Sequence, residues 1–258
     1  MIYNPHLQGE AFFWEGGPVG VLLSHGFTAT SAEVRLLAGV LHGHGFSVAG
    51  PLLPGHFTDP ADLNRVRWQD WLQAVRKDYQ RLCRHCRQVF VGGESTGGLL
   101  ALYLASEQPA VAGILTYAPA LRLALRPLDF LRLYMAAPFI PSVPKPDLSG
   151  TLPWQGYPVN PLKGTIQLLR LQRALRPRLR RIHQPVLIVQ GRQDLTVHPQ
   201  VPETIASAVS SSVKEIHWME NSTHCVILDQ EWEQVAGITL GFMQRVLART
   251  NQEAGHET

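Results

Sequence analysis

Short apolar runs alternate with longer stretches in which apolar residues recur every three or four positions, and this alternation limits the fold more than any other feature. The apolar runs predict buried strands and the spaced residues predict helices. Strands are expected at 19–23, 46–53, 88–92, 113–117, 186–190 and 215–219. Helices are expected at 31–41, 68–86, 99–105, 170–182 and 230–246. The pattern predicts an α/β fold, with a mostly parallel central sheet and helices on both faces.

The composition excludes several classes of protein. With 258 residues, 45% hydrophobic and 17% charged, the chain can bury a substantial core and does not have the composition of a disordered protein. A net charge of +3 is weak support for a nucleic-acid or membrane-surface partner. The helix expected at 170–182 carries six arginines, but its apolar stripe explains the helix and no aromatic residues interleave them. We therefore favour a solvated face and expect no nucleic-acid binding.

No segment of the sequence predicts a membrane span or a secretory signal. Residues 1–20 lack a basic region followed by an apolar stretch. Residues 36–58 carry no formal charge if histidine is neutral, but five glycines and two prolines interrupt them. Such a segment would leave backbone groups unpaired in lipid. We expect a cytoplasmic protein without stable membrane insertion, either a monomer or a small homo-oligomer.

The three cysteines do not predict a disulfide framework. Cys83, Cys86 and Cys225 are too few and odd in number, so a reducing compartment is the simpler interpretation. Cys83 and Cys86 form a C-x-x-C within an expected helix, and no second Cys/His pair stands at zinc spacing. We expect ordinary burial here rather than a metal or redox site.

A long interval breaks the alternation. Nearly 70 residues separate the strand at 113–117 from the strand at 186–190, and the part at 138–161 is rich in proline. A stretch this long inside a compact domain is usually functional and often forms a lid. We therefore expect a core formed by residues 1–119 and 166–258, with a cap or lid inserted at 120–165.

The strongest functional signal is the pattern G-x-S-x-G at residues 93–97, with Ser95 at its centre. An apolar strand precedes it and a helix-forming run follows. In such a sharp strand-to-helix turn the serine hydroxyl is exposed above the sheet, and the residues two before and two after must be small. Ser95 is therefore the expected nucleophile.

A serine hydroxyl needs a general base, and the base needs an orienting acid. The chain order expected on this fold is serine, acid, histidine. Asp194 follows the strand at 186–190 and His224 follows the strand at 215–219, so both are expected at the carboxyl edge of the sheet. Asp229, which we place in the following helix, is a weaker candidate acid. His198 and His217 are weaker candidate bases.

The oxyanion hole needs two backbone N–H donors. One is expected from Thr96, the residue after the nucleophile, and the other from the loop after the first core strand. Gly26 lets that loop approach the substrate closely, so Phe27 is the expected second donor. The side chain of His25 is expected to be structural.

Together these pieces resemble the α/β-hydrolase superfamily, and within it the bacterial carboxylesterase and monoacylglycerol lipase group. The matching motifs span about residues 19 to 246. They are His25-Gly26-Phe27, Leu53-Pro54-Gly55-His56, Trp68-Gln69-Asp70-Trp71, the turn at 93–98, the loop at 191–194 and His224.

The resemblance implies hydrolysis of carboxylic esters, with Ser95, His224 and Asp194 as the triad and a small, largely helical cap over an acyl-binding groove. One departure is Glu94, where the group commonly has an apolar residue or histidine. A buried carboxylate beside the nucleophile is costly unless it is hydrogen-bonded. It either tunes the pH dependence or is satisfied by nearby backbone, and we favour the second.

The resulting hypothesis is a serine carboxylesterase acting on short- to medium-chain esters of small molecules, with no metal or organic cofactor. Cap residues expected to line an acyl pocket are Phe130, Tyr134, Phe139, Trp154 and Tyr157. Reactions that keep the fold are alternatives: monoacylglycerol lipase, thioesterase, C–C hydrolase or perhydrolase. A non-catalytic protein that binds a small ligand is an alternative from a different class.

Overall fold

The computed structural model describes residues 2–145 and 152–256 and divides them into strands and helices that largely follow the expected alternation. The strands are β1 Phe12–Trp14, β2 Val19–Ser24, β3 Ser47–Gly50, β4 Gln88–Glu94, β5 Val111–Tyr117, β6 Ser142–Pro144, β7 Val159–Pro161, β8 Val186–Gly191 and β9 Lys214–Met219. The helices are α1 Ala32–Gly43, α2 Pro60–Leu63, α3 Trp68–His85, α4 Thr96–Ala105, α5 Pro127–Ala136, α6 Leu162–Leu175, α7 Val201–Ala208 and α8 Trp232–His256.

Seven of these strands form the central sheet, in the order β1-β3-β2-β4-β5-β8-β9. Neighbouring strands run parallel except for β1, which pairs antiparallel with β3 at one edge. Because parallel strands end at the same edge, the loops after β2, β4, β8 and β9 open on one side of the sheet. The expected α/β fold is confirmed, although the three-residue β1 was not expected.

Two hydrophobic clusters cover the two faces of the sheet. Buried residues of α3, α4, α6 and α7 form one cluster with one face of the strands. Buried residues of α1 and α8 form the other with the opposite face. Along β8, for example, Val186 and Ile188 belong to the first cluster, whereas Leu187 and Val189 belong to the second. All four are fully buried, as expected for a strand covered on both faces.

The helix expected at 170–182 has different boundaries in the structure. The α-helix α6 begins at Leu162, before the expected core boundary at 166, and ends at Leu175. A 3-10 helix, Arg176–Arg181, follows and contains Pro177, which lacks the N–H needed to continue α-helical hydrogen bonding. Gly164, near the start of α6, packs against Leu63. A Cβ added at Gly164 would lie 3.2 Å from the Leu63 side chain.

The chain between β5 and α6, residues 120–161, is here called the inserted segment. Its described part contains α5 and a two-stranded antiparallel sheet of β6 and β7. α5 packs against α6 through a small cluster of Leu133, Ala137 and Leu162. Residues 152–157 then cross the loop after β2, with Ala29 and Gly156 forming an isolated antiparallel bridge. Residues 146–151, also part of the expected cap, lie outside the described residues.

Candidate active site

Ser95 occupies the turn between β4 and α4 in a strained backbone conformation. Its φ is +51° and its ψ is −109°, a region that residues with a side chain rarely adopt. The flanking glycines are required by packing. A Cβ at Gly93 would lie 2.2 Å from the carbonyl oxygen of Ser24, and a Cβ at Gly97 would lie 2.0 Å from the same atom. The turn therefore packs so closely on β2 that neither position has room for a side chain.

Three side chains from three loops meet at this turn. His224 Nε2 lies 3.0 Å from Ser95 Oγ, and His224 Nδ1 lies 2.8 Å from Asp194 Oδ2. Asp194 follows β8 and His224 follows β9, so parallel neighbouring strands bring together residues far apart in sequence. A hydroxyl, an imidazole and a carboxylate in this order can activate the hydroxyl as a nucleophile, because the imidazole accepts its proton and the carboxylate orients the imidazole.

Asp194 is held as an acceptor of several hydrogen bonds. Its Oδ1 accepts the backbone N–H of Thr196 at 2.7 Å and of Val197 at 3.0 Å, and its Oδ2 also accepts the side-chain amide of Gln190 at 2.6 Å. Burial raises the pKa of Asp194, but the charge and hydrogen bond of His224, with the N–H groups of Val197 and Thr196, outweigh burial and leave the pKa below its usual range. The carboxylate is thus kept ionised beside the imidazole.

Two further carboxylates order the loop that carries His224. Asp229 Oδ2 accepts the backbone N–H of Thr223 at 2.7 Å and its hydroxyl at 2.6 Å. Glu231 Oε2 accepts the backbone N–H of Asn221 at 2.9 Å and the hydroxyl of Ser222 at 2.6 Å. Asp229 precedes α8, which begins at Trp232, so our placement of Asp229 within the helix was wrong. The sequence shows a carboxylate close after His224, but it does not distinguish a residue that orders the histidine loop from a candidate for the orienting acid.

The loop after β2 lies against the nucleophile. A Cβ at Gly26 would lie 3.2 Å from Ser95 Cβ and from Glu33 Oε2, a tight contact that a glycine avoids. His25 Nε2 accepts the N–H of Leu53 at 3.1 Å, which leaves Nδ1–H to donate to the carbonyl oxygen of Gly26 at 2.9 Å. Burial lowers the pKa of His25 to about 4, which keeps the ring neutral. This geometry gives the His25 side chain a structural role.

The two expected oxyanion donors flank the serine. Thr96 is the first residue of α4, so its N–H has no acceptor within the helix. Phe27 follows Gly26, and its ring packs edge-on against His56 and Trp71. The oxyanion assignment of both N–H groups remains a prediction.

Glu94 and Glu33 are both buried close to the site. Among the described residues neither carboxyl oxygen of Glu94 has a hydrogen-bond partner of standard geometry. Burial and the nearby charge of Glu33 raise the pKa of Glu94 well above its usual range, although the N–H groups of Ile227 and Val226 lower it. Glu33 differs because both of its oxygens accept hydrogen bonds, one from Gly26 and one from Trp154. We did not single out Glu33 in the sequence.

The five aromatic candidates for an acyl pocket occupy different environments. Trp154 and Tyr157 are buried, and the Tyr157 hydroxyl bonds to Thr58 N–H and to the carbonyl oxygen of Gly55. Phe130 is half-buried. Tyr134 and Phe139 are 50% and 85% exposed, respectively, on α5 and just after it, so in this conformation they do not line an enclosed pocket. Few residues of the inserted segment are buried around these aromatic residues, so the sequence of the segment does not specify which of them face inward.

The weaker candidates lie outside this arrangement. His198 Nδ1 accepts the N–H of Gln200, and His217 pairs with Glu215 on β9. Cys83 is exposed and Cys86 is buried at the end of α3. Among residues 2–145 and 152–256, no three His, Cys, Asp or Glu side chains cluster in a way that could hold a metal ion. No helix in the same residues is long and apolar enough to cross a membrane.

A serine at a strained strand-to-helix turn, with histidine and aspartate at the carboxyl edge of a mainly parallel sheet, defines a hydrolase of the α/β type. Comparison with known families agrees, since the alpha/beta hydrolase family matches residues 21–238. The chain belongs to this family.

The chain is similar to enzymes of the group that its motifs resemble. It is 34% identical over 247 residues to a thermostable monoacylglycerol lipase of Bacillus sp. (strain H-257), covering 93% of this chain and 97% of the relative. It is 26% identical over 244 residues to a carboxylesterase of Bacillus subtilis (strain 168), covering 92% and 97%. A solved structure of the metagenome-derived lipolytic enzymes LipS and LipT superimposes with a TM-score of 0.87 at 32% identity, covering 93% of this chain and 99% of the other. The predicted resemblance is confirmed.

Proposed function

We propose that this chain is a serine carboxylesterase that hydrolyses short- to medium-chain esters of small molecules through an acyl-enzyme intermediate. The observation that carries the proposal is the continuous hydrogen-bonded series from Ser95 to His224 to Asp194, at 3.0 and 2.8 Å. The names of the relatives, a carboxylesterase and a monoacylglycerol lipase, support ester hydrolysis as the reaction.

The reaction proceeds in two acyl-transfer steps. His224 takes the proton of Ser95 as Ser95 Oγ attacks the ester carbonyl carbon, and the N–H groups of Phe27 and Thr96 stabilise the developing oxyanion. His224 then gives that proton to the leaving alcohol, which departs. Water repeats the attack on the acyl-enzyme, again with His224 as base, and releases the acid and free Ser95. Asp194 stays ionised and stabilises the imidazolium throughout.

The inserted segment and the beginning of α6, residues 120–165, act as the cap, on a core of residues 1–119 and 166–258. Contacts at both ends of the segment support this. At its start, His198 N–H bonds to the carbonyl oxygen of Arg122, beside the loop of Asp194. Near its end, Tyr157 N–H bonds to the carbonyl oxygen of Thr28, beside Phe27. The segment thus borders both the acid loop and the oxyanion loop.

The test is a chain-length series of p-nitrophenyl esters, from acetate to palmitate, on the wild type and Ser95→Ala. We expect turnover that peaks at short or medium chains. Loss of the nucleophile should lower kcat by at least about 10⁴-fold. A folded wild type that is inert on every ester would refute the proposal and favour another hydrolase substrate or a ligand-binding role. Unchanged activity in Ser95→Ala would refute the nucleophile.

A monoacylglycerol lipase is the second candidate, because the 34% identical Bacillus relative carries that name. Steady-state kinetics on a monoacylglycerol and on simple alkyl esters of the same fatty acid separate the two. A kcat/KM for the monoacylglycerol well above that for simple alkyl esters of the same acid would identify the lipase. Comparable values would favour the carboxylesterase.

A further inference from the structure

Glu33 is a buried carboxylate that the two-step mechanism does not use. It lies in the first turn of α1 and is only 3% exposed. A carboxylate in such a place is costly unless hydrogen bonds offset the loss of water. Its two oxygens have separate partners: Oε2 accepts the backbone N–H of Gly26 at 2.6 Å, and Oε1 accepts the indole N–H of Trp154 at 3.0 Å.

The bond to Gly26 acts on the loop that carries the expected oxyanion donor Phe27. Gly26 is held from two sides, because its carbonyl oxygen accepts Nδ1–H of His25 while its N–H donates to Glu33. The carbonyl of Gly26 and the N–H of Phe27 belong to one planar peptide unit. His25 therefore holds the peptide unit of the Phe27 N–H directly, and Glu33 holds the peptide unit before it. Because both units meet at Gly26 Cα, the two bonds together set the direction of the Phe27 N–H beside Ser95.

The bond to Trp154 joins the same carboxylate to the inserted segment. Cys225 Sγ, in the residue after His224, also approaches Glu33 Oε1 at 4.0 Å. Glu33 therefore contacts three parts of the site: the oxyanion loop, the inserted segment and the histidine loop. A neutral side chain of the same shape could not accept both N–H groups, since the amide of glutamine has one acceptor oxygen and an NH₂ that only donates.

We propose that Glu33 is the positioning residue of the oxyanion hole, holding Gly26 so that the Phe27 N–H points at the reacting carbonyl, and linking this loop to the inserted segment through Trp154. This inference rests on the proposed esterase function for its catalytic consequence. The placement of the loop by Glu33 does not depend on which substrate is used. The experiment therefore tests this placement separately from the proposed esterase function.

The test compares the wild type with Glu33→Gln by steady-state kinetics on a p-nitrophenyl ester and by inhibition with an alkyl trifluoromethyl ketone. The ketone is a probe of the oxyanion hole, because attack by the serine turns its carbonyl oxygen into an oxyanion. A small displacement of a group that acts in the transition state costs up to about 100-fold. We expect kcat to fall about 10- to 100-fold with KM within about twofold, and Ki for the ketone to rise by the same factor as kcat falls.

A third readout is amide hydrogen exchange over residues 22–34, which contain the loop and the start of α1. Glu33→Gln should exchange faster there than the wild type, and outside this loop and its neighbours at residues 152–157 and 223–227 the rate should be unchanged. The matched control is Glu107→Gln, whose half-buried carboxylate pairs with Arg76 and Arg178 beyond the far end of α4 from Ser95. This control should leave kcat, the ketone Ki and loop exchange unchanged.

A Glu33→Gln variant with wild-type kcat, or with exchange in 22–34 equal to the wild type, overturns the proposal. Faster exchange spread over the whole chain also overturns it, because it marks a structural role. If the wild type is inert on esters, the proposed function fails, and local exchange alone then decides the positioning role. If Glu33→Gln does not fold, Glu33→Asp keeps the charge but moves the oxygens back by one carbon, and the same lower kcat at unchanged KM is expected.

Discussion

The turn that carries Ser95 and the inserted segment border the same site, yet they are held in opposite ways. The turn is fully enclosed, and its glycines leave no space between β2 and α4. Among its described residues the inserted segment exposes about half of its large apolar side chains, including Leu131, Met135 and Phe139, which are 58%, 67% and 85% exposed. Its apolar contact with α6 includes the small cluster of Leu133, Ala137 and Leu162.

In the proposed esterase, this difference would separate the groups that carry out the chemistry from the surface that selects the substrate. Groups that must be placed to within a fraction of an ångström are held by packing and by hydrogen bonds on every side, as Asp194 is. A surface that meets variable acyl chains needs no such placement. Substitutions near the turn should therefore have large effects on rate or folding, and substitutions on the exposed face of the inserted segment should have small ones.

Among substitutions that leave the nucleophile in place, the largest effect is expected at Asp194. Asp194→Asn keeps the shape but presents an amide to His224 Nδ1, which favours the wrong tautomer. We expect kcat on a p-nitrophenyl ester to fall about 10⁴-fold with folding unchanged. Asp229→Asn should lower kcat far less, because Asp229 accepts hydrogen bonds from Thr223 and none from the His224 imidazole. Equal losses in the two variants would contradict the assignment of Asp194 as the orienting acid.

Gly97→Ala should have the next largest effect. A Cβ there would lie 2.0 Å from the backbone oxygen of Ser24, which has no freedom to move within β2. We expect thermal or urea unfolding to show a loss of about 3 kcal/mol or more. The control is Gly39→Ala, since a Cβ at Gly39 in α1 meets nothing within 4 Å. That change should be neutral or stabilising by up to about 1 kcal/mol. Similar stabilities for the two variants would show that the turn is looser than its packing indicates.

The sequence predicted the enclosed part of the molecule much better than the inserted segment. The strands β2, β4 and β8 are mainly apolar and buried, and the residues that follow them and β9 must meet at one edge of a parallel sheet. Hence Ser95, Asp194 and His224 could be predicted to meet from the G-x-S-x-G pattern and the order of the strands. The contacts of Glu33 could not be predicted from the sequence, because they join α1 to Trp154. This tryptophan is 121 positions away and lies in a segment with no periodic pattern.

The inserted segment was less predictable for a physical reason. Exposed apolar residues on α5 resemble core residues in a sequence, because hydrophobicity alone does not distinguish a buried face from an uncovered one. Phe139 was therefore grouped with Trp154 as a pocket residue, although one is exposed and the other buried. A small loss of stability on substitution of Phe139 would agree with this difference in exposure, and a large loss would contradict it.

A moderate, pH-dependent effect is expected at Glu94. Burial, with the charge of Glu33, raises the pKa of this carboxyl well above its usual range. The folded protein therefore keeps a proton that the unfolded chain releases, so stability contributed by Glu94 is full below the unfolded pKa of about 4.3 and is lost as pH rises toward the folded pKa.

Glu94→Gln mimics the protonated acid and has no proton to lose. Its stability relative to the wild type should rise with pH by at most about 1.4 kcal/mol per pH unit above that value. Thermal melts of both proteins from pH 4 to pH 9 measure this: the melting temperatures should nearly coincide at pH 4 and separate, with the variant higher, toward pH 8. Melting temperatures that stay parallel across this range would mean that the Glu94 carboxyl is ionised without penalty.

The smallest effect is expected at Phe139, and it tests the exposed side of the comparison directly. Phe139→Ala removes a large side chain that is already 85% exposed, so stability should change by less than about 0.5 kcal/mol. Leu133→Ala, in the buried cluster on α6, is the matched change and should cost about 2 kcal/mol. KM for a short p-nitrophenyl ester should be unchanged in Phe139→Ala. A KM raised several-fold would show instead that the segment folds Phe139 over the acyl chain when substrate binds, and that its open face belongs to the unliganded protein alone.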